Sequence, residues 1–98
     1  MFIGTLQFEL FIPGSANLKD KRRLLRSVQD KVKSKFNIAI AELEYQDKWQ
    51  RAVVGLCTIN SRKSEIELTL SRIREIFNDN CDFMIIKEKN NIFVLKEE

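Results

Sequence analysis

The residues best suited to chemistry in this 98-residue sequence are cations gathered in one segment, residues 18–36. That segment carries eight Lys or Arg and two Asp, so its net charge is +6, whereas the nine cations and twelve anions elsewhere sum to −3. If the segment is a helix, about 100° of rotation per residue brings five of these cations into one arc. We call this arc the basic face. It consists of Lys19, Arg22, Arg23, Arg26 and Lys33.

The basic face has the chemistry of a phosphate-binding surface. Five cations can neutralise roughly three to five phosphates, which gives salt-sensitive binding without any reading of base sequence. The alternative is a solvated helix face that happens to be rich in Lys and Arg, although such faces usually mix charges of both signs. The sequence leaves both interpretations open.

Lys21 belongs to the same segment but lies near the middle of its apolar arc, between Leu18, Leu25 and Val28. One interpretation is that the aliphatic stem covers the edge of the core while the ammonium reaches water. The other is a partly desolvated ammonium paired with a carboxylate such as Glu42 or Glu44. The second arrangement would be the starting point of a small-ligand or catalytic site.

A second candidate surface surrounds the single tryptophan, in the polar segment 46–51. Trp49, Gln50 and Arg51 are of the types that favour binding, because Trp and Arg dominate contact energies in interfaces. The alternative for Trp49 is that it covers the open end of the core from a loop.

The sequence contains no recognisable catalytic set. It has no His, which removes the commonest general base and metal ligand, and two Cys cannot form a zinc site alone. It also has no Gly-rich phosphate loop. We therefore expect no catalytic residues, no metal and no cofactor, with a site around Lys21, Glu42 and Trp49 as the less favoured alternative.

The hydrophobic pattern predicts the elements that must position these residues. A period of two indicates strands and a period near 3.6 indicates helices. Asn17 is the expected N-cap of the first helix. The segment 83–95 reads either as a hairpin turning at 89–91 or as one bulged strand. The predicted elements are strands at 2–12, 38–44, 52–59, 83–87 and 92–95, and helices at 18–36 and 62–78.

This order predicts one α+β domain over residues 1–98, with a ferredoxin-like βαββαβ fold. Right-handed crossovers place both helices on one face of an antiparallel sheet, with a C-terminal hairpin strand as an optional addition. The third strand is apolar on both sides, and Phe93 and Leu95 lie opposite Ile92 and Val94. The uncovered sheet face or an edge is therefore a candidate surface for homo-oligomerisation, for instance as a dimer.

Targeting signals are not recognisable in the sequence. The start Met1-Phe2-Ile3-Gly4 has no cationic leader, and no apolar run approaches the roughly 20 residues of a membrane helix. We expect a cytoplasmic protein without membrane contact. Cys57 lies in an apolar run, which predicts a buried side chain that packs as a small hydrophobic group.

Two short motifs carry a family resemblance. Leu18-Lys19-Asp20-Lys21-Arg22 and Trp49-Gln50-Arg51-Ala52, together with Phe36-Asn37-Ile38-Ala39-Ile40-Ala41-Glu42, resemble the YlxP-like family of small bacterial proteins of unknown function. The sequence departs from that pattern at Tyr45, where a small or polar residue is expected, and in the longer stretch 81–98.

The resemblance implies a ferredoxin-like fold and no known catalysis. Genes of this family tend to lie beside those for translation initiation and ribosome-assembly factors, which is an association and not a mechanism. Together with the basic face, it makes the leading hypothesis a non-enzymatic accessory factor that contacts ribosomal RNA or the ribosome. The main alternative is a homo-oligomeric protein interaction module without a nucleic-acid role.

Overall fold

The computed structural model describes residues 1–96 and has the predicted order of strand, helix, strand, strand, helix and strand. The elements are β1 (Phe2–Phe11), α1 (Leu18–Lys35), β2 (Ala39–Glu44), β3 (Arg51–Asn60), α2 (Lys63–Asp79) and β4 (Met84–Val94). The four strands form one antiparallel sheet in the order β2-β3-β1-β4. This is the ferredoxin-like arrangement that the pattern predicted.

Both helices pack on one side of the sheet, where alternate strand residues meet the apolar faces of the helices. The ring centroids of Phe8 and Phe77 lie 4.7 Å apart at the centre of this contact. The core includes Leu6, Phe8 and Leu10 from β1, Ala52, Val54 and Leu56 from β3, Leu25, Val28 and Val32 from α1, and Ile66, Leu70, Ile73 and Phe77 from α2.

Helix α1 begins at the predicted cap. The side chain of Asn17 accepts a hydrogen bond of 2.9 Å from the backbone N–H of Asp20, and the Asp20 carboxylate accepts one from Ala16. This pair of bonds satisfies N–H groups that a helix start leaves free. Within residues 1–96, no helix combines the length and apolarity that crossing a bilayer requires.

The C-terminal segment forms one strand, so the predicted hairpin is wrong and the alternative of a single bulged strand is correct. β4 pairs with β1 from Met84 opposite Phe11 to Val94 opposite Phe2. The register shifts between Glu9 and Leu10, where β4 contains the extra residue Ile86. The expected turn residues lie in mid-ladder because the ten-residue β1 offers a continuous edge along their whole length.

The other side of the sheet, which we call the open face, has no helix over it among the described elements. Cys57 lies on this face and is exposed, so the prediction that it is buried is wrong. The third strand is indeed interior and apolar on both sides, but only one of its faces is covered by helices. Strand alternation puts Leu56 into the core and Cys57 outside it.

Candidate functional site

The structure exposes all five residues of the basic face. They lie opposite the side of α1 that buries Leu25, Val28 and Val32. Because the apolar side is fixed against the sheet, the cations have to face away from it. The sequence therefore located this surface correctly.

Four of these five cations line a shallow concavity on α1, together with Ser27 and two carboxylates. The carboxylates are those of Asp20, 4.0 Å from the Arg23 guanidinium, and Asp30. Lys33 does not line the concavity. The surface is net positive but is not of one sign, and the two anions lower its affinity for phosphate compared with an uninterrupted stripe.

Lys21 is one of the most deeply buried residues, with 1% of its surface exposed. Its Nζ lies 2.6 Å from three oxygen atoms, namely the backbone carbonyls of Tyr45 and Lys48 and Oε2 of Glu42. The interpretation in which the ammonium reaches water is therefore wrong, and pairing with Glu42 is correct. Glu42 is available because it pairs with Val54 on the helix side of β2.

The two carbonyls accept hydrogen bonds from the Lys21 ammonium, and the Glu42 carboxylate is its ion-pair partner. Neither the concavity on α1 nor the trough on the open face described below is lined by Lys21 or Glu42. The pair holds the loop between β2 and β3, residues 45–50, against the first turn of α1. Its observed contacts are those of a positioning element, since the ammonium is buried and holds two carbonyls of the loop.

Tyr45 supplies the bend that makes this contact. It has φ of 65°, the one positive value at a non-glycine residue among residues 1–96. Its carbonyl also accepts the N–H of Lys48 at 2.9 Å. The departure from the family pattern thus falls where the backbone takes a left-handed conformation, which small and polar residues adopt more readily.

Arg51 contacts the Tyr45 ring and a carboxylate on β1. Its guanidinium carbon lies 4.9 Å from the ring centroid, and Nη2 lies 2.7 Å from Oε2 of Glu9. The ion pair between Arg51 and Glu9 was not predicted from the sequence. The pairing of β1 with β3 could have indicated this ion pair. Arg51 lies opposite Phe11, and Glu9 is two residues from Phe11 on the same face of the sheet, so the two side chains are diagonal neighbours.

Gln50 joins the same loop to the loop between β1 and α1. Its Nε2 donates to the carbonyls of Ser15 at 3.3 Å and Pro13 at 3.4 Å, and its own carbonyl accepts the N–H of Ile12 at 2.8 Å. Gln50 therefore acts as a link, although the sequence suggested a binding surface. The two motifs that carry the family resemblance meet at this end of the molecule.

Trp49 has half of its surface exposed. It belongs neither to the core cluster nor to the partly buried residues packed against that cluster. The interpretation that Trp49 covers the end of the core is therefore wrong. Its ring is available to solvent on a loop whose neighbouring residues are held by Lys21 and Gln50.

The open face holds the second concavity, a shallow trough across the sheet. Leu43 from β2 lies directly over Gly55, within 2.5 Å of where a Cβ atom would stand on that glycine. Phe93 stands on the β4 side and is half exposed. The lining is predominantly apolar and includes Ala41, Leu43, Gly55, Cys57 and Phe93.

Comparison with known proteins identifies relatives of this chain by sequence. The profile of a family described as "protein of unknown function (DUF503)" matches residues 3–89. The uncharacterized protein YlxP of Bacillus subtilis (strain 168) is 37% identical over 71 residues, which are 72% of this chain and 77% of that protein.

Three solved structures share the fold of this chain at low sequence identity. The de novo designed protein Foldit4 has a TM-score of 0.55 and 15% identity, with 98% of this chain and 100% of that chain covered. A designed protein with a ferredoxin fold has a TM-score of 0.54 and 12% identity, with 99% of this chain and 88% of that chain covered. A dimeric ferredoxin-like protein from an uncultured marine organism gives 0.52 and 11%, covering 98% of both chains.

Proposed function

This chain belongs to the DUF503 family of proteins of unknown function and is similar to YlxP. From that premise we propose that it is a non-enzymatic accessory factor that binds RNA through the basic face. The binding partner that we propose is ribosomal RNA, free or within the ribosome. The observation that carries the proposal is the exposure of five cations on the side of α1 that faces away from the sheet.

Electrostatics support a polyanion as the partner. Segment 18–36 has a net charge of +6 in a chain whose remaining residues sum to −3, so the positive potential is concentrated on one helix. Such a surface attracts phosphates at long range and releases counterions when it binds them. The same cations spread evenly over the molecule would do neither efficiently.

The non-enzymatic part of the proposal rests on the state of Lys21 and Glu42. Among the described residues, these two most resemble a catalytic pair. They form an ion pair with each other, and the ammonium also donates hydrogen bonds to two backbone carbonyls. Catalysis needs a group that can exchange a proton or a bond with a substrate. Both members of this pair instead hold the loop.

The experiment is a titration of ribosomal RNA with the wild-type protein and with Arg22→Ala/Arg23→Ala/Arg26→Ala at two salt concentrations. The triple variant should bind more weakly, and its log Kd should depend less on log salt, by up to about 0.9 per lost phosphate contact. A matched control is Arg62→Ala/Lys63→Ala/Arg72→Ala, which removes three exposed cations from or beside α2. Equal affinity and equal salt slope for the two triple variants would refute the proposal.

A second candidate function is self-association through the open face. The supporting observation is the apolar trough flanked by exposed Leu43 and Phe93, with exposed Ile59 on the same face. Apolar patches of this kind on small proteins usually mark an interface. A second copy would cover the trough, and light scattering at tens of micromolar should then give twice the mass of one chain. A mass of one chain would contradict it.

A further inference from the structure

We infer that the basic face and Trp49 bind one single-stranded RNA, with phosphates on α1 and one unpaired base stacked on the indole ring. This inference rests on the proposed function and deepens it. It assigns a partner class to Trp49 and a positioning role to Lys21. Neither role follows from the charge pattern alone.

The indole ring of Trp49 is exposed. Trp49 is the single tryptophan of the chain, and half of its surface is exposed. Burial of a tryptophan contributes more than burial of nearly any other side chain, so an exposed one forgoes a large gain in stability. An indole ring offers a flat π-face on which any nucleobase can stack.

The loop that carries the ring is rigid. Lys21 binds the carbonyls of Tyr45 and Lys48, and Gln50 binds those of Pro13 and Ser15. These bonds fix both neighbours of Trp49 before any partner arrives. A preformed surface does not pay the entropy of ordering a loop on binding.

The distance between Trp49 and α1 is short. The Lys21 side chain reaches from α1 to the carbonyl of Lys48, which is one peptide bond from Trp49. Summed bond lengths then place the Cα atom of Trp49 within roughly 15 Å of that of Arg22. Lys21 leaves α1 on the side opposite the basic face, so an RNA segment that contacts both has to pass around the first turn of the helix, which a strand of a few nucleotides can do.

The residues beside Trp49 in sequence are polar. They include the exposed Asp47 and Lys48 and the half-exposed Arg51, which is paired with Glu9. A ring that inserts into an apolar pocket of a partner protein is normally framed by other apolar groups. An exposed aromatic ring in polar surroundings near a basic helix is instead typical of surfaces for single-stranded nucleic acids. In a duplex, the π-faces of the bases are already stacked on each other.

The test uses a 12-nucleotide single-stranded RNA, its duplex and inorganic polyphosphate as probes. Because Trp49 is the sole tryptophan, its fluorescence reports stacking directly. The single strand should quench this fluorescence at saturation, polyphosphate should bind without quenching, and the duplex should bind more weakly than the single strand. In anisotropy titrations with labelled RNA, Trp49→Ala should raise Kd by roughly 5- to 100-fold. Trp49→Phe should recover most of that loss.

The outcomes separate this inference from the function on which it rests. Salt-dependent binding with no quenching, with Trp49→Ala equal to wild type, or with the duplex bound as tightly as the single strand would overturn the inference and leave the proposed function standing. Absence of binding by all three probes would overturn both. Circular dichroism and a thermal melt of Trp49→Ala establish that the variant is folded, which its exposed position favours.

Discussion

At the scale of single residues, the organising group is the ammonium of Lys21. Burying a charge is costly unless it is paired and hydrogen-bonded. Here one carboxylate balances the charge and two carbonyls accept hydrogen bonds from the ammonium. The spacing of apolar residues on α1 would place an apolar side chain at position 21. An apolar side chain could not donate hydrogen bonds to the two carbonyls of the loop, whereas the Lys21 ammonium does.

Replacing Lys21 with Met should lower the free energy of unfolding by roughly 3 kcal/mol, since it leaves Glu42 and two carbonyls without their donor. The effect lies at the lower end for buried pairs because Glu42 retains 21% side-chain exposure. Urea denaturation measures it. Adding Glu42→Gln to Lys21→Met should restore part of the loss by removing the unpaired charge.

Lys19→Met is the matched control for this prediction. Lys19 lies on the same helix but is exposed, so its replacement should change stability by no more than about 0.5 kcal/mol. If Lys21→Met and Lys19→Met unfold at the same urea concentration with the same slope, the buried ammonium does not hold the loop.

A second residue-scale prediction concerns the positive φ of Tyr45. Tyr45→Val should be less stable than Tyr45→Asn by about 1–2 kcal/mol, because a β-branched residue fits the left-handed region worst and Asn tolerates it. Both variants lose the contact between the ring and Arg51, so their difference isolates the backbone term. Thermal melts of the two proteins provide the measurement, and equal melting temperatures would show that the loop relaxes its conformation.

At the scale of elements, close approach of α2 to β1 depends on a glycine. A Cβ atom at Gly4 would collide with the side chain of Ile66 and press on Leu70, both buried on α2. Close packing of the sheet and helix therefore leaves no volume for a methyl group at this position. On the other side of the sheet, Gly55 is covered by Leu43, which is half exposed and can move.

Gly4→Ala should destabilise the protein by about 1–3 kcal/mol through overpacking. Gly55→Ala should cost less than about 1 kcal/mol, because Leu43 can rotate into solvent and Ala favours the strand backbone over Gly. The two variants make the same chemical change on opposite faces of the sheet. Chemical denaturation that ranks Gly55→Ala as the more damaging would contradict this account of the packing.

At the scale of the whole molecule, the two candidate surfaces lie on opposite sides. The basic face points away from the sheet on the helix side, and the apolar trough lies on the open face. Self-association through the trough would therefore leave both basic faces accessible. A dimer would present two of them, which raises its apparent affinity for long RNA through multivalency.

Phe93→Glu should convert a dimer of this kind into single chains, since it places a charge in the apolar trough. Sedimentation velocity measures the change. Leu68→Glu is the control, because Leu68 is similarly exposed but lies on α2. Affinity for the 12-nucleotide RNA should be unchanged in both variants. A wild-type protein that sediments as one chain would remove the premise of this prediction.

Local pattern was sufficient for both helices, for their orientation and for β1, β2 and β3, but it left segment 83–95 open between a hairpin and the single strand that forms. Alternation along β1 and the spacing of Leu25, Val28 and Val32 report which side of an element is apolar. Asn17 could be identified as a cap because its bond to Asp20 spans only three residues. The position of the basic face follows from the same periodicity.

Tertiary structure decided which apolar sides are covered and which polar groups meet. Cys57 and Leu56 look alike in sequence, but the two helices cover only the face of the sheet on which Leu56 lies, and Cys57 on the other face stays exposed. Lys21 is buried because a strand 21 residues later brings Glu42 beneath α1 and a loop brings two carbonyls to it. Period alone cannot show such contacts, because they depend on elements distant along the chain and on the order in which the strands pair.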